Sequence, residues 1–383
     1  MRIELLNPPG EKRPPAFSQG AVAGDWVFVS GQLAWTRDGG IAGKGDIKAQ
    51  SERAFEHIEQ VLRMAGGGLS DVVKLTAYLV DPRHFQGYWD VRRRLFPSNA
   101  PASTTVAATA LAFPEALIEI EAYAHLGKKT RFVMPSPPGG PAYSQGARAG
   151  NTIWVSGQTS QDLKEGKPQA VGDFPGQLHI ALRNVNEVLK AAGAGPKDLV
   201  KINYFLTNPL YYKDLFQIRA DTFKERAPGD DVASIRALAL PELLVEAEAV
   251  AVVPPAKVEY INPPDVPQPF SFSQVVIADG LVYVSGQTPW DKDRKLSSPG
   301  DFEGQLAQAY RNVEACLKAA GCTFNDVAKI TYYITNSTYF ARSREVRARF
   351  VGESPPAITA IVVDGIGGFP ELMCEVDAIA VLP

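Results

Sequence analysis

The segment Phe28-Val29-Ser30-Gly31-Gln32 decides the fold, because it recurs twice further along the chain. The second copy is Trp154-Val155-Ser156-Gly157-Gln158 and the third is Tyr283-Val284-Ser285-Gly286-Gln287. Each copy is followed by an Asp-X-X-Lys motif, which ends at Lys74, Lys201 or Lys329. An alternating acidic segment then closes each unit, over residues 118–122, 245–249 and 374–378. A fixed order of motifs at a period of about 127 residues predicts three copies of one domain.

Proline-rich stretches separate these copies. They contain Pro8, Pro9, Pro14 and Pro15 at the start of the chain, Pro135, Pro137, Pro138 and Pro141 at the first join, and Pro254, Pro255, Pro263 and Pro264 at the second. Proline fixes φ and removes a backbone donor, so these stretches are predicted to be extended segments rather than helices. We therefore place the domains at residues 1–129, 130–255 and 256–383, and expect them to pack together.

Each copy predicts the same sequence of elements. Residues 18–23 and 26–30 are typical of a β-hairpin that turns at Gly24-Asp25. A helix follows, with an apolar stripe that in the second copy runs from Leu178 to Ala192. A β-rich strand, a short helix and two closing strands complete the unit. The fold class is therefore α+β, with helices on one face of a sheet.

The order of these motifs resembles the reactive-intermediate deaminase (Rid) family, over the whole chain and in three tandem copies. The resemblance implies chorismate-mutase-like domains that form an intramolecular pseudo-trimer, with a central β-barrel, helices outside and a cleft between each pair of neighbours. It also implies an aromatic entry residue, a Ser-Gly turn and a glutamate that handles the hydrolytic water. The aromatic residues are Phe17, Tyr143 and Phe272; the turns are Ser30-Gly31, Ser156-Gly157 and Ser285-Gly286; the glutamates are Glu119, Glu246 and Glu375.

The family's carboxylate-binding arginine is missing from this sequence. Its place falls on Ser103 in the first copy and on Ile358 in the third. In these two copies a proline lies two residues before that position. The second copy is expected to lack this proline, and counting back from Pro241 puts the equivalent position at Val232. An arginine–carboxylate contact is worth about 1.5–3 kcal/mol. We therefore expect weak activity on anionic imino acids.

Two sets of recurring residues admit two interpretations each. Strand alternation puts Glu119 and Glu121 on one face, so Glu119 is either a water-activating base or a structural carboxylate that binds backbone amides. Arg92, Arg219 and Arg347 recur in the short helix. They either supply the missing anion contact from a new direction or are solvated or paired with acids.

Composition narrows the function classes. Lys+Arg is 39 and Asp+Glu is 42, so the net charge of −3 excludes a strongly basic nucleic-acid binder. No apolar run reaches the roughly 18 residues of a membrane span. The three cysteines cannot form a disulfide framework, which favours a cytoplasmic protein. The four histidines lie at unrelated places in the repeat, which supports neither a metal site nor a histidine-based triad. We also expect no cofactor.

The leading hypothesis is a hydrolase or deaminase acting on a small imine, enamine or related C–N metabolite in an inter-repeat cleft. The alternative is a binding protein that keeps the cleft without the chemistry, and ribonuclease activity is less favoured. The partner is then a small molecule, and the chain is a monomer or a dimer of whole chains. Among the clefts, the one with Tyr143 is preferred because only its aromatic residue carries a hydroxyl. Its glutamate is expected to be Glu246 or Glu119.

Overall fold

The computed structural model describes residues 2–9, 17–127, 130–135, 142–224 and 227–383. Within these residues it contains nineteen β-strands and six α-helices. Pro14, Pro15, Pro137, Pro138 and Pro141, which the sequence predicts to be extended, lie outside the described residues.

The three copies contain the same eight helices and strands in the same order, and the third copy has one additional short strand. The first copy consists of β1 (Ile3–Leu6), β2 (Gly20–Ala23), β3 (Trp26–Gln32), α1 (Ile47–Met64), β4 (Val72–Leu79), α2 (Phe85–Leu95), β5 (Ala102–Ala107) and β6 (Ile118–His125). The second consists of β7 (Arg131–Pro135), β8 (Ser144–Ala149), β9 (Thr152–Gln158), α3 (Phe174–Ala192), β10 (Leu199–Leu206), α4 (Tyr212–Thr222), β11 (Gly229–Ser234) and β12 (Val245–Val252). The third consists of β13 (Val258–Ile261), β14 (Val275–Ala278), β15 (Leu281–Gln287), α5 (Phe302–Ala319), β16 (Val327–Ile334), α6 (Tyr339–Val351), β17 (Ala357–Val362), β18 (Gly365–Ile366) and β19 (Cys374–Val381).

The strand order is the same in all three copies. In the first copy it is β1-β2-β3-β6-β4-β5. The predicted hairpin is present, with β2 antiparallel to β3. Strands β4 and β5 are parallel, and α2 makes the crossover between them. The long helix packs on one face of the sheet; in the second copy it begins at the N-cap Asp173 and ends at Gly193, whose φ of 85° suits glycine. The α+β prediction is confirmed.

Backbone contacts between the copies close the threefold arrangement. The amide of Ser144 donates to the carbonyl of Pro101 at 3.1 Å, which joins the second copy to the first. The equivalent bonds are Ser18 to Pro356 at 2.9 Å and Ser273 to Pro228 at 3.0 Å. The cluster at the centre contains Phe28, Trp154 and Tyr283, one from each copy, all buried. The chain is therefore an intramolecular pseudo-trimer, with its helices outside the central strands.

A ring of lysine–carboxylate pairs lies inside the central barrel. Lys74 of the first copy lies 2.6 Å from Glu248 of the second, and Lys329 of the third lies 2.8 Å from Glu121 of the first. Lys201 of the second copy pairs with Asp377 of the third. Each lysine therefore binds a carboxylate of a neighbouring copy, and the three pairs tie the copies together in a closed cycle.

Candidate functional site

Each copy meets the next at an equivalent junction, the place of a predicted cleft, and each junction is built around the serine of the repeated motif. Ser156 Oγ accepts the amide of Ser103 at 2.7 Å, Ser285 Oγ accepts the amide of Asp230 at 2.9 Å, and Ser30 Oγ accepts the amide of Ile358 at 2.8 Å. We name the clefts by their aromatic residue. The Phe17 cleft lies between copies 1 and 3, the Tyr143 cleft between copies 2 and 1, and the Phe272 cleft between copies 3 and 2.

One buried glutamate lies in each cleft, beside the glycine of the Ser-Gly turn. A Cβ at Gly31, Gly157 or Gly286 would overlap the carboxyl group of Glu119, Glu246 or Glu375, respectively, so glycine is required for this close approach. Each carboxyl group accepts a hydrogen bond from a backbone amide of the neighbouring copy, at Ala360, Thr105 and Val232, respectively.

Burial raises the pKa of each of these glutamates to about 8. Each is therefore mostly protonated at neutral pH, and can donate a hydrogen bond or a proton. The structure brings Glu246 rather than Glu119 to the Tyr143 cleft, since Glu246 and Tyr143 belong to the same copy and interact electrostatically.

The position of the absent arginine is corrected by the strand register. Ser103 pairs with Leu75, Ile358 with Ile330 and Asp230 with Ile202, so Asp230 is the equivalent residue in the second copy. The expectation of Val232 was wrong by two residues. The proline is also present, at Pro228, and glycine rather than alanine follows it.

The recurring arginines of the short helices are buried, which excludes the solvated interpretation. Arg92 Nη1 donates to Ser103 Oγ at 2.5 Å, and its guanidinium carbon lies 5.8 Å from the centre of the Tyr143 ring. Within the described residues, no carboxylate pairs with Arg92. Arg347 Nη1 donates to the hydroxyl of Tyr332 at 2.7 Å.

Arg219 differs from Arg92 because it forms an ion pair with Asp230. Its Nε donates to Ser271 Oγ at 2.8 Å, and its guanidinium lies 5.3 Å from the Phe272 ring. The charge of Arg219 is therefore compensated inside the Phe272 cleft, by an acid that stands where the family places a cation.

A cavity of about 770 Å³ opens into the Phe272 cleft. Of the residues expected from sequence, Phe272, Gly286, Glu375 and Arg219 line it. Its aromatic walls come from both copies: Tyr212, Phe216, Phe270, Trp290 and Phe369. A volume of this size is typical of pockets for drug-sized ligands.

The loop after β17 shapes this cavity. Strand β18 pairs with β11 of the second copy, at Ala233 with Ile366 and Ser234 with Gly365. The following residues, Gly367 to Phe369, line the cavity, and the Phe369 ring lies 5.4 Å from Trp290. The loop therefore forms a wall of the Phe272 cleft.

Several functional residues were not identified from the sequence. The barrel lysines were visible as part of a recurring motif, although nothing in the motif predicted their partners. Asp231 replaces Thr104 and Thr359 of the other copies, and lies 2.9 Å from Lys201. Burial raises the pKa of Asp231 well above its usual value, although Lys201 lies beside it.

The part of the chain that the structure describes contains neither a cluster of metal-binding side chains nor a helix that could cross a membrane. These residues contain no group of three or more His, Cys, Asp or Glu side chains arranged to hold a metal ion. Among the helices so described, none has the length and apolar character needed to cross a membrane.

One protein-family model matches the chain three times, once in each copy. The model described as endoribonuclease L-PSP matches residues 11–126, 136–253 and 265–382. The chain belongs to this family. It is a Rid-type protein with three tandem copies, and its membership supports, in general terms, a small-molecule deaminase or hydrolase role.

This L-PSP chain is similar to shorter relatives, which match about a third of it, and to one larger protein. A RutC family protein from Pyrococcus horikoshii is 35% identical over 123 residues, which is 32% of this chain and 96% of the relative. RidA from Psychrobacter sp. PAMC 21119 is 28% identical, with a TM-score of 0.31 and coverage of 32% of this chain and 99% of its own. A chorismatase is 13% identical with a TM-score of 0.56, covering 82% of this chain and 93% of its own, so the two share a fold across most of their length.

Proposed function

We propose that the protein hydrolyses a C=N bond of a small molecule in the Phe272 cleft, giving a carbonyl compound and ammonia or an amine. The observation that carries this proposal is Glu375, a buried carboxyl group with a raised pKa of about 8 that lines a cavity of about 770 Å³. A protonatable group in a large, aromatic-lined cavity is the usual signature of an acid–base site.

The reaction we propose uses both protonation states of Glu375. The carboxylic acid donates its proton to the imine nitrogen, which makes the carbon more electrophilic. A water molecule then adds to that carbon and gives a proton back to the carboxylate. Glu375 then returns that proton to the nitrogen of the carbinolamine, the C–N bond breaks, and the Glu375 carboxylate takes the hydroxyl proton as the carbonyl forms. The net change is one water consumed and one ammonia or amine released.

We choose the Phe272 cleft because of its cavity, whereas the sequence favours the cleft with Tyr143. That preference remains a prediction, and the Tyr143 cleft holds a comparable glutamate, Glu246. The Phe272 cleft is favoured because a ligand can enter its cavity and reach Glu375. Its phenyl ring supplies an apolar face, and the hydrogen-bonding role expected of a tyrosine falls to Glu375.

The test is ammonia release from imines generated in situ, compared among Glu375→Gln, Glu246→Gln and Glu119→Gln. Glutamine keeps the shape and removes the proton donor. We expect Glu375→Gln to lower the rate by about 10²–10⁴-fold, whereas the two matched variants retain it. Loss in Glu246→Gln alone would move the reaction to the Tyr143 cleft. Ligand binding without ammonia release from the unaltered protein would favour the binding-only function.

A further inference from the structure

We infer that the ligand of the Phe272 cleft has an aromatic body and an anionic group, carboxylate or phosphate, that binds at the mouth of the cavity and not at its floor. The inference rests on the proposed function only for the direction in which the reacting bond faces. It is carried by a difference in available cations between the buried floor of the cavity and its exposed mouth.

The floor of the cavity disfavours an anion. The acidic residues that line the cavity are Asp230, Asp231 and Glu375, and all three are buried. The floor cation, Arg219, is already paired with Asp230. An anionic group placed there would lie against the Asp230 carboxylate and find no uncompensated cation, in surroundings where charge is costly to bury.

The walls favour a flat apolar body. Phe216 and Phe270 meet edge to face at 6.0 Å, and Phe369 contacts both Trp290 at 5.4 Å and Tyr212 at 5.9 Å. Rings in these arrangements present faces and edges that stack well with another ring.

Three apolar side chains at the outer edge of the cavity are exposed to solvent. Phe270 is 68% exposed, Leu210 81% and Phe369 41%. All three line the same cavity, so they form one apolar patch rather than scattered surface residues. A bound aromatic ligand would cover this patch.

Two cations stand at the mouth. Arg294 and Lys213 are exposed and line the cavity. The Arg294 guanidinium lies 3.8 Å from the centre of the Phe270 ring, and its Nη2 donates to the carbonyl of Gln268 at 2.6 Å. Within the described residues, no carboxylate forms an ion pair with either cation. They are therefore available for an anion at the outer end of the ligand.

The test measures binding of stable ketones by calorimetry, since a ketone cannot be hydrolysed to ammonia. The probes are 4-acetylbenzoate and 4-acetylphenyl phosphate, with acetophenone as the uncharged control and pyruvate as the small anion. We expect at least one aromatic anion to bind about tenfold or more tightly than acetophenone or pyruvate. The relative affinity of the two aromatic anions identifies the preferred anionic group.

Variants locate the gain in affinity. The double variant Arg294→Gln/Lys213→Gln should remove the advantage of the aromatic anion over acetophenone. The matched control is Lys292→Gln, an exposed lysine outside the cavity lining, which should change neither. The inference is overturned if neither aromatic anion outcompetes acetophenone, if pyruvate binds more tightly, or if the advantage survives in the double variant. Since binding is measured without turnover, an absence of ammonia release would count against the proposed function alone.

Discussion

Lys74 of the first copy lies 2.6 Å from Glu248 of the second, and both side chains are largely buried. Lys74 also donates to Thr104 Oγ1 at 2.8 Å, and Thr104 donates to Glu248 at 2.5 Å. Although burial opposes the effect, Lys74 and these hydrogen bonds hold the pKa of Glu248 below its usual value. Glu248 therefore stays ionised in the barrel, and its burial there depends on Lys74.

Replacing Lys74 should expose this dependence. Lys74→Met leaves Glu248 buried without its cation, and we expect a loss of about 3–5 kcal/mol in the free energy of unfolding. The matched control is Lys190→Met, which removes an exposed pair with Glu187 and should cost no more than about 1 kcal/mol. Urea unfolding of both variants measures the difference. Equal effects would mean that the ring does not tie the copies together.

The closed ring also predicts the assembly state. Each copy already contacts both of the others through its barrel strands, so the surface that would recruit further copies in a trimer is occupied. We expect a particle mass of one chain, 41.4 kDa, or of two chains. Light scattering after size-exclusion chromatography measures it, and a mass of three chains would contradict the prediction.

Stability should fall as the pH rises from about 5 to above 8. The pKa of Glu119 is raised from 4.5 in the unfolded chain to about 8 by burial, so the folded state holds a proton that the unfolded state has lost in this range. A tenfold difference in acidity between the two states corresponds to about 1.4 kcal/mol of stability. Glu119→Gln should flatten the profile measured by denaturant unfolding at several pH values. An unchanged slope would show that Glu119 does not titrate in this range.

The glycine of the Ser-Gly turn should be essential only in the cleft that works. A methyl group at Gly286 would overlap the Glu375 carboxyl, so Gly286→Ala should abolish imine hydrolysis while the protein stays folded. Gly157→Ala makes the same change beside Glu246, and should leave the rate intact. Circular dichroism confirms folding of both variants. Retained activity in Gly286→Ala, with loss in Gly157→Ala, would reverse the assignment.

Activity on 2-iminopropionate should be weak. Ser103, Asp230 and Ile358 occupy the position at which an arginine would bind its carboxylate. Ammonia release from this substrate measures the activity. Substantial rates would contradict the prediction, and Arg92→Gln would then be the first variant to examine, because that arginine lies beside Tyr143 and Ser103.

Recurrence explains how much the sequence could predict. The Ser-Gly turns and the cleft glutamates recur at matching positions, so their places were found without the structure. Asp230 was missed because the count from Pro241 was two residues too short and Pro228 was not recognised as the expected proline. The aromatic wall could not be predicted, since Phe369 belongs to a loop of the third copy and contacts Tyr212 of the second.

A crystal structure of the chain soaked with 4-acetylbenzoate would show which cleft binds the ligand and in which orientation. We expect ligand density in the Phe272 cleft, with the acetyl carbonyl facing Glu375 and the carboxylate beside Arg294. Density beside Tyr143 or Phe17, with the Phe272 cavity empty, would contradict this expectation.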